Sequence, residues 1–321
     1  MDAKENLLET IHCGNPERVP YAGGLPIIRI GFFGVNPDDN RPPGADIWTD
    51  LWQVQHHKEF EGIMPFPKYN PLAHIDDWEE YQWPDPHDPE LYVKARATLE
   101  NISDREAILV SGSHRSTLLE RAWKLVGMED LFVLLLSDEE RSNWLLDHII
   151  DFQLGVAEEY LSLGVDFAFL GDDHGTQLGV YMNPELFRKY FKPRYEKLIK
   201  LYKSNGCLIQ FHSCGNILDL VPDFMDLGID ILNPIQATAL DLPTLRRLTE
   251  GKMALQGGVS TATVLDGPLE LIRTEVRERI QCLGKNGGYI CGPDQGFPFP
   301  QDHLRCLEDS VEIYGAYPLE V

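Results

Sequence analysis

Nowhere does the chain hold an apolar run near the ~20 residues that span a bilayer as a helix. Its opening, Met1-Asp2-Ala3-Lys4-Glu5, lacks the basic-then-apolar pattern of a secretory signal. Basic residues are in short supply: 28 Lys and Arg against 51 Asp and Glu leave a formal net charge of −23. That balance argues against nucleic acid and anionic membrane as partners. Cysteine is sparse too. Six in 321 residues (Cys13, Cys207, Cys214, Cys282, Cys291 and Cys306) are too few for a disulfide scaffold, and a reducing cytoplasm is the expected location. No Gly-x-Gly-x-x-Gly follows the first expected strand, so an open dinucleotide-binding sheet lacks its usual fingerprint.

What the chain does hold is core-forming sequence, 43% hydrophobic and 10% aromatic. That is enough for one large α/β barrel or two ordinary domains. Lys4 to Cys13 read as an amphipathic helix stopped by Gly14, and Leu25 to Phe33 as a first strand. Asn36 to Gly44 reads as loop. Ala45 to Phe60 is too polar for a plain core segment, with Trp48 and Trp52 spaced for packing, and Pro65 to Pro89 is an irregular Pro/Trp-rich segment. From Leu91 strands and helices alternate, with strands expected at Ala107–Gly112, Val165–Leu170, Leu208–Phe211, Ile229–Asn233, Met253–Gln256 and Gly288–Cys291. Ser137 is the expected N-cap of a helix over Asp138 to Gly164, and Asn183 that of one beginning at Pro184. About eight such units predict a single-domain (β/α)8 barrel over residues 1–321, with an N-terminal extension and the irregular segment.

The chemistry gathers at Phe211-His212-Ser213-Cys214-Gly215-Asn216. Alternate strand residues share a face, so His212 and Cys214 project together, an imidazole and a thiol making half of a tetrahedral zinc site. The plainer reading is a core histidine beside a small apolar cysteine. A third donor, Cys291, ends another short strand before Gly292-Pro293, and two thiolates with one imidazole leave a fourth position for solvent or substrate. Other polar residues also fall at strand C-termini, where barrel active sites are built: Asp172, Asp173, Asn233, Gln236 and Gln256. Asp172, Asp173 and His174 are candidate catalytic groups, with Asp173 the one expected to face the cavity; Asn233, Gln236 and Gln256 are candidate substrate contacts.

Several stretches together resemble the uroporphyrinogen decarboxylase superfamily. They are Asn15-Pro16-Glu17-Arg18-Val19-Pro20, Asp173-His174-Gly175-Thr176-Gln177, the His212 segment, Gly228-Ile229-Asp230-Ile231-Leu232-Asn233-Pro234 and Gly257-Gly258-Val259. The resemblance implies a barrel with its site in the C-terminal mouth. His212-x-Cys214 with the distant Cys291 is similar to the zinc-ligand pattern of the cobalamin-dependent methyltransferases of that superfamily. It therefore implies zinc, a corrinoid (methylcobalamin) carried by a partner corrinoid protein, and a small methyl donor or acceptor, either a thiol or a methyl ether. Pro26 to Phe32 has only Arg29, unlike the arginine-rich stretch with which the decarboxylases grip their substrate, and Gln236 stands about where coenzyme M enzymes carry an acidic residue. A metal-free decarboxylase or other lyase on the same barrel is the alternative, and a corrinoid- or folate-binding module a third.

Overall fold

The computed structural model describes residues 1–32, 41–60 and 65–319. Phe33 and residues 36–40 of the expected loop lie outside them. Seven strands form one curled parallel sheet: β1 (Ile27–Gly31), β5 (Leu109–Arg115), β6 (Phe167–Gly171), β7 (Leu208–His212), β8 (Ile231–Ile235), β9 (Ala254–Val259) and β10 (Tyr289–Pro293), hydrogen-bonded in that order. The short strands β2 (Ile47–Thr49), β3 (Gln55–His57) and β4 (Phe66–Tyr69) form a separate antiparallel sheet. About eight regular strands were expected in the barrel, and seven are seen among the described residues. At the far edge of β10 there is a single parallel bridge, Tyr21 to Cys291, with Cys291 N–H donating to the Pro20 carbonyl at 2.9 Å. Proline at 20 has no N–H with which to extend a ladder.

Each strand's alternation sorts its side chains between two cores. Leu109, Phe167, Ile231, Ala254 and Ile290 meet inside the curl, where Leu7 and Ile11 of the N-terminal helix Ala3–Ile11 pack against them. Their neighbours Val110, Ala168, Leu232, Leu255 and Tyr289 face the helices instead. Full burial contributes roughly 1.5–3 kcal/mol for each large apolar side chain, which fixes the parity of every strand. Two residues further along the inner face, apolar gives way to polar: Arg29, Ser111, Gln210, Asn233 and Gln256 follow Ile27, Leu109, Leu208, Ile231 and Ala254. The inner face thus becomes a site at its C-terminal end.

Several element boundaries differ from the sequence reading. The helix Glu139–Ser162 is capped by Asp138, which accepts from Arg141 N at 3.0 Å; the Ser137 hydroxyl instead bonds back to the Val133 carbonyl in its own helix. Asn183 caps as expected, accepting from Glu185 N, but a π-helical turn at Phe187–Phe191 interrupts that helix before Lys192. β8 runs through Pro234 because its ladder with β9 shifts register between Leu232 and Ile235, where no proline N–H is required. The polar stretch at Ala45–Phe60 holds β2 and β3, and the Pro/Trp-rich stretch holds β4. Aromatic stacking pins the latter, with Trp83 on His148 and Trp78 against Trp144 at centroid distances of 4.9 and 5.7 Å. Among the described residues no helix is long and apolar enough to cross a membrane.

Buried His114 on β5 predicts how stability depends on pH. Its Nδ1 lies 2.7 Å from Gln153 Oε1 and its Nε2 2.6 Å from the Tyr202 hydroxyl, and burial holds its pKa down to about 4. The folded protein refuses a proton that the unfolded chain accepts below pH 6.5. This group's contribution is therefore complete above that pH and lost as the pH falls toward 4, at up to roughly 1.4 kcal/mol per unit. Urea midpoints measured from pH 7 to pH 5 should fall, and His114→Gln should flatten the fall by about that slope. An equally steep fall in the variant would place the acid sensitivity elsewhere.

Candidate metal centre

The loops leaving β6 and β7 touch, and the contact rests on two glycines. A Cβ on Gly175 would lie 2.7 Å from the Cys214 carbonyl oxygen, and one on Gly215, at φ +85°, would lie 2.4 Å from the Gly175 carbonyl carbon. No other residue lets these backbones approach so closely. The contact carries Asp173 beside Cys214: Asp173 Oδ1 accepts from Cys214 N at 2.8 Å and lies 3.7 Å from His212 Nε2. Cys214 Sγ is 3.5 Å from that same Nε2. One donor atom from each of Asp173, His212 and Cys214 therefore falls within 4.8 Å of the others.

His212 is oriented for this role. Its Nδ1 lies 2.8 Å from Asn233 Oδ1, so Nδ1–H donates to the amide oxygen and the Nε2 lone pair points into the cluster. Burial, and after it the Asp173 carboxylate, pushes the Cys214 thiol well above its ordinary range. A carboxylate, a thiol and an imidazole lone pair converge. A divalent ion of borderline softness fits this donor set, and it would reverse the penalty on the thiolate.

The expected third ligand is elsewhere. Cys291 shares the helix-facing side of β10 with Tyr289, and burial pushes its thiol up to about 12. It does not line the cavity, whereas Asp294, on the inward side of the same segment, does. Parity is the reason: Ile290 belongs to the inner core, so Cys291 points out. The structure brings together two of the three predicted ligands, with Asp173 beside them.

The Asp172-Asp173-His174 cluster divides as its alternation demands. Asp173 lines the cavity. Asp172 is fully buried on the other side and caps the helix Leu119–Val126, accepting from Leu118 N at 2.8 Å and from Leu119 N and Glu120 N at 2.6 Å, and from the Tyr195 hydroxyl. Burial raises its pKa to about 7. His174, expected as a catalytic group, is fully buried among Phe187, Phe191 and Phe211, with Nε2 3.0 Å from Tyr195 Oη. Burial lowers its pKa to about 3, so it is a neutral scaffold group. Gln236 is likewise taken up, its Oε1 accepting from Gly215 N and bracing the loop. Asn233 and Gln256 do line the cavity, the latter accepting from Gln210 Nε2 at 2.8 Å.

The cavity measures about 1720 Å³. The β2–β3–β4 sheet roofs it through Asp50, Trp52, His56 and Phe66, tied to the body by Arg121, whose Nη1 is 3.3 Å from Asp50 and whose guanidinium lies 4.6 Å from the Trp52 ring. Sequence reading marked Trp52 for packing and the stretch around it as too polar for plain core, but found no strands there, because each spans only three or four residues. It also passed over Gln295, whose Nε2 lies 2.9 Å from Cys214 Sγ. An amide in a Gly/Pro-rich loop carries no spacing signal.

This geometry separates ligands from scaffold by experiment. Asp173→Asn, His212→Ala and Cys214→Ser should each weaken zinc binding by roughly 10–100-fold or more in a chelator competition. Cys291→Ser should leave it unchanged, and lost affinity there would restore the ligand set read from the sequence. Asp172→Asn should keep its metal and lose about 1–3 kcal/mol of stability in urea.

No curated protein sequence matches the chain at a significant level. Among solved structures, a methyltransferase from Methanosarcina mazei superposes with a TM-score of 0.74 at 17% identity, covering 97% of this chain and 98% of that one. That likeness shows the fold. An octameric ribulose-1,5-bisphosphate carboxylase/oxygenase from Pyrococcus horikoshii matches 76% of this chain and 59% of its own at 15% identity, with a TM-score of 0.31 that bears on nothing here. The family model described as Uroporphyrinogen decarboxylase (URO-D) matches residues 58–313, a span that includes the roof strand β4, both loops of the Asp173/His212/Cys214 cluster and all of β5 to β10. By that match the chain belongs to the uroporphyrinogen decarboxylase family.

Proposed function

We propose that the protein is a zinc-dependent methyltransferase that moves a methyl group between a small substrate, a thiol or a methyl ether, and a corrinoid carried by a partner protein. The observation that carries this reading is the convergence of Asp173, His212 and Cys214 on one side of the cavity, with Asn233 fixing the imidazole. The fold likeness to a protein named a methyltransferase supports it. Asp173, His212 and Cys214 would hold the zinc. Bound there, the metal supplies Lewis acidity, lowering the proton affinity of a substrate sulfur or oxygen.

The chain's own residues do the rest. In the donor direction the methyl carbon leaves an oxygen or sulfur that keeps the bonding pair, and the site must receive that growing negative charge. Asn233 holds Nδ1–H on His212, which leaves the Nε2 lone pair facing Asp173 and Cys214. Gly175 and Gly215 let the two loops pack backbone to backbone, which keeps Asp173 beside Cys214. Trp52 of the roof, itself buried, gives an apolar wall to the cavity. Its volume exceeds the roughly 300–1,000 Å³ of an ordinary small-molecule pocket, which leaves space for a second reactant to enter from the mouth.

Free cob(I)alamin with a methoxyarene or a methyl thioether, and methylcobalamin with a thiol, form the test, followed by the cobalamin visible spectrum. Zinc-loaded protein should convert one of these pairs. Chelator-stripped protein and Cys214→Ser should each be slower by about 10²-fold or more, as for loss of a main electrostatic contributor. Full rates in stripped protein would contradict the role of zinc, and no conversion of any pair by zinc-loaded protein would contradict methyl transfer and favour a metal-free lyase.

A further inference from the structure

Cys214 carries a sulfur that the proposed chemistry puts at risk. A thiolate held on a metal keeps lone pairs, and this one lines the cavity that a methyl donor must enter. In the competing step a sulfur pair attacks the methyl carbon. An S–C bond forms, the bond from carbon to its leaving group breaks with the pair going to that group, and the ligand becomes a neutral thioether. We infer that Gln295 suppresses this step by donating its amide N–H to Cys214 Sγ, keeping the sulfur as a ligand and withholding it as a nucleophile.

Both partners of the contact are held in place. Gln295 Nε2 lies 2.9 Å from Cys214 Sγ. A thiolate ligand only accepts, which sets the amide with its N–H side toward sulfur. The two residues follow β10 and β7, with β8 and β9 between. Strands three places apart in a flat sheet are separated by roughly 14 Å, so the contact exists because the sheet curls. Below Gln295, Asp294 N–H donates to the Val259 carbonyl at 2.8 Å. Asp294 Oδ1 accepts from Thr261 N at 2.9 Å and Thr261 Oγ1 at 2.6 Å, tying the loop to the start of the helix Thr261–Asp266. On the other side, Cys214 N is bound by Asp173 and Gly215 N by Gln236.

The groups around the sulfur act on it in opposite senses. Burial and the Asp173 carboxylate both oppose negative charge there, whereas the Gln295 amide favours it. A charge-assisted hydrogen bond draws on a lone pair that would otherwise attack carbon. Because the amide is neutral, it does so without placing a second cation beside the metal. Protection in this sense rests on the proposed function, which makes Cys214 a metal ligand and brings a methyl donor beside it; its test needs no corrinoid.

Zinc-loaded full chain and Gln295→Leu, which removes the N–H, are treated with methyl iodide, and methylation is followed site by site by peptide mass spectrometry. Cys282, partly exposed in a separate surface pocket, reports any general loosening. Cys214 in the variant should be methylated about tenfold faster or more, the scale of a lost hydrogen bond to a charged group, with Cys282 unchanged. Gln295→Lys, which restores an N–H donor, should return the rate toward that of the parent. Zinc affinity of Gln295→Leu in a chelator competition should stay within a few-fold. With cobalt(II) in place of zinc, the sulfur-to-metal charge-transfer band should move to lower energy in Gln295→Leu, a shift that a merely structural role would not produce. Equal Cys214 rates, equal acceleration at Cys282 or an unmoved band would overturn the protection while leaving the metal site standing. A large loss of zinc affinity in Gln295→Leu would make Gln295 a ligand and overturn it as well. Failure of the parent chain to bind zinc or cobalt(II) would overturn the metal reading itself, and the parent's own titration shows this apart from any variant.

Discussion

A side chain on a strand of a curled sheet has two destinations, the inside of the curl or the layer of helices, and its neighbours on the strand must take the other. In this protein the inner apolar plug of Leu109, Phe167, Ile231, Ala254 and Ile290 sets that parity for five of the seven strands at once. Everything at the C-terminal end inherits it. Asp173, His212 and Asp294 fall inside; Asp172, His174 and Cys291 fall outside. One-residue slips would reverse the assignment but would also expose the plug, at a cost of several kcal/mol per strand. The core thus dictates which of two adjacent chemically similar residues can act.

Electrostatics follow from the same division. The outward acids and imidazoles are sealed and used as structure: Asp172 satisfies three backbone N–H groups at a helix start, and His174 stays neutral among aromatic rings. The inward groups are left with demands that the protein does not meet by itself. A thiol beside a carboxylate and an imidazole lone pair calls for a cation.

Much of this was legible in the sequence, for a stated reason. Long apolar runs with glycine or proline after them mark the strands, so the order of β5 to β10 could be read, and His212-x-Cys214 needs only local alternation to be recognised as a pair. Alternation lets only one of Asp172 and Asp173 face the cavity without saying which; Asp173 was preferred for its place in the turn before His174-Gly175, and it is the one that lines the cavity. Cys291 misled because a four-residue run shows alternation without showing which phase faces inward; only the packing of Ile290 decides that. The roof was illegible because three-residue strands carry no period, and their residues are held by cross-chain contacts such as His56 with Asp50 at 2.8 Å. Gln236 looked like a substrate contact from its position after a strand, but its distance from the Gly215 amide is a tertiary fact.

The central claim is that Asp173 stands with His212 and Cys214 where the sequence alone suggested Cys291. X-ray absorption at the zinc K-edge, on the full chain loaded with one equivalent of zinc, tests it directly because sulfur and oxygen or nitrogen scatterers lie at distinguishable distances, about 2.3 Å against 2.0–2.2 Å. The account predicts one sulfur, with nitrogen and oxygen filling the remaining positions. Two sulfurs at about 2.3 Å would place Cys291 on the metal and contradict it.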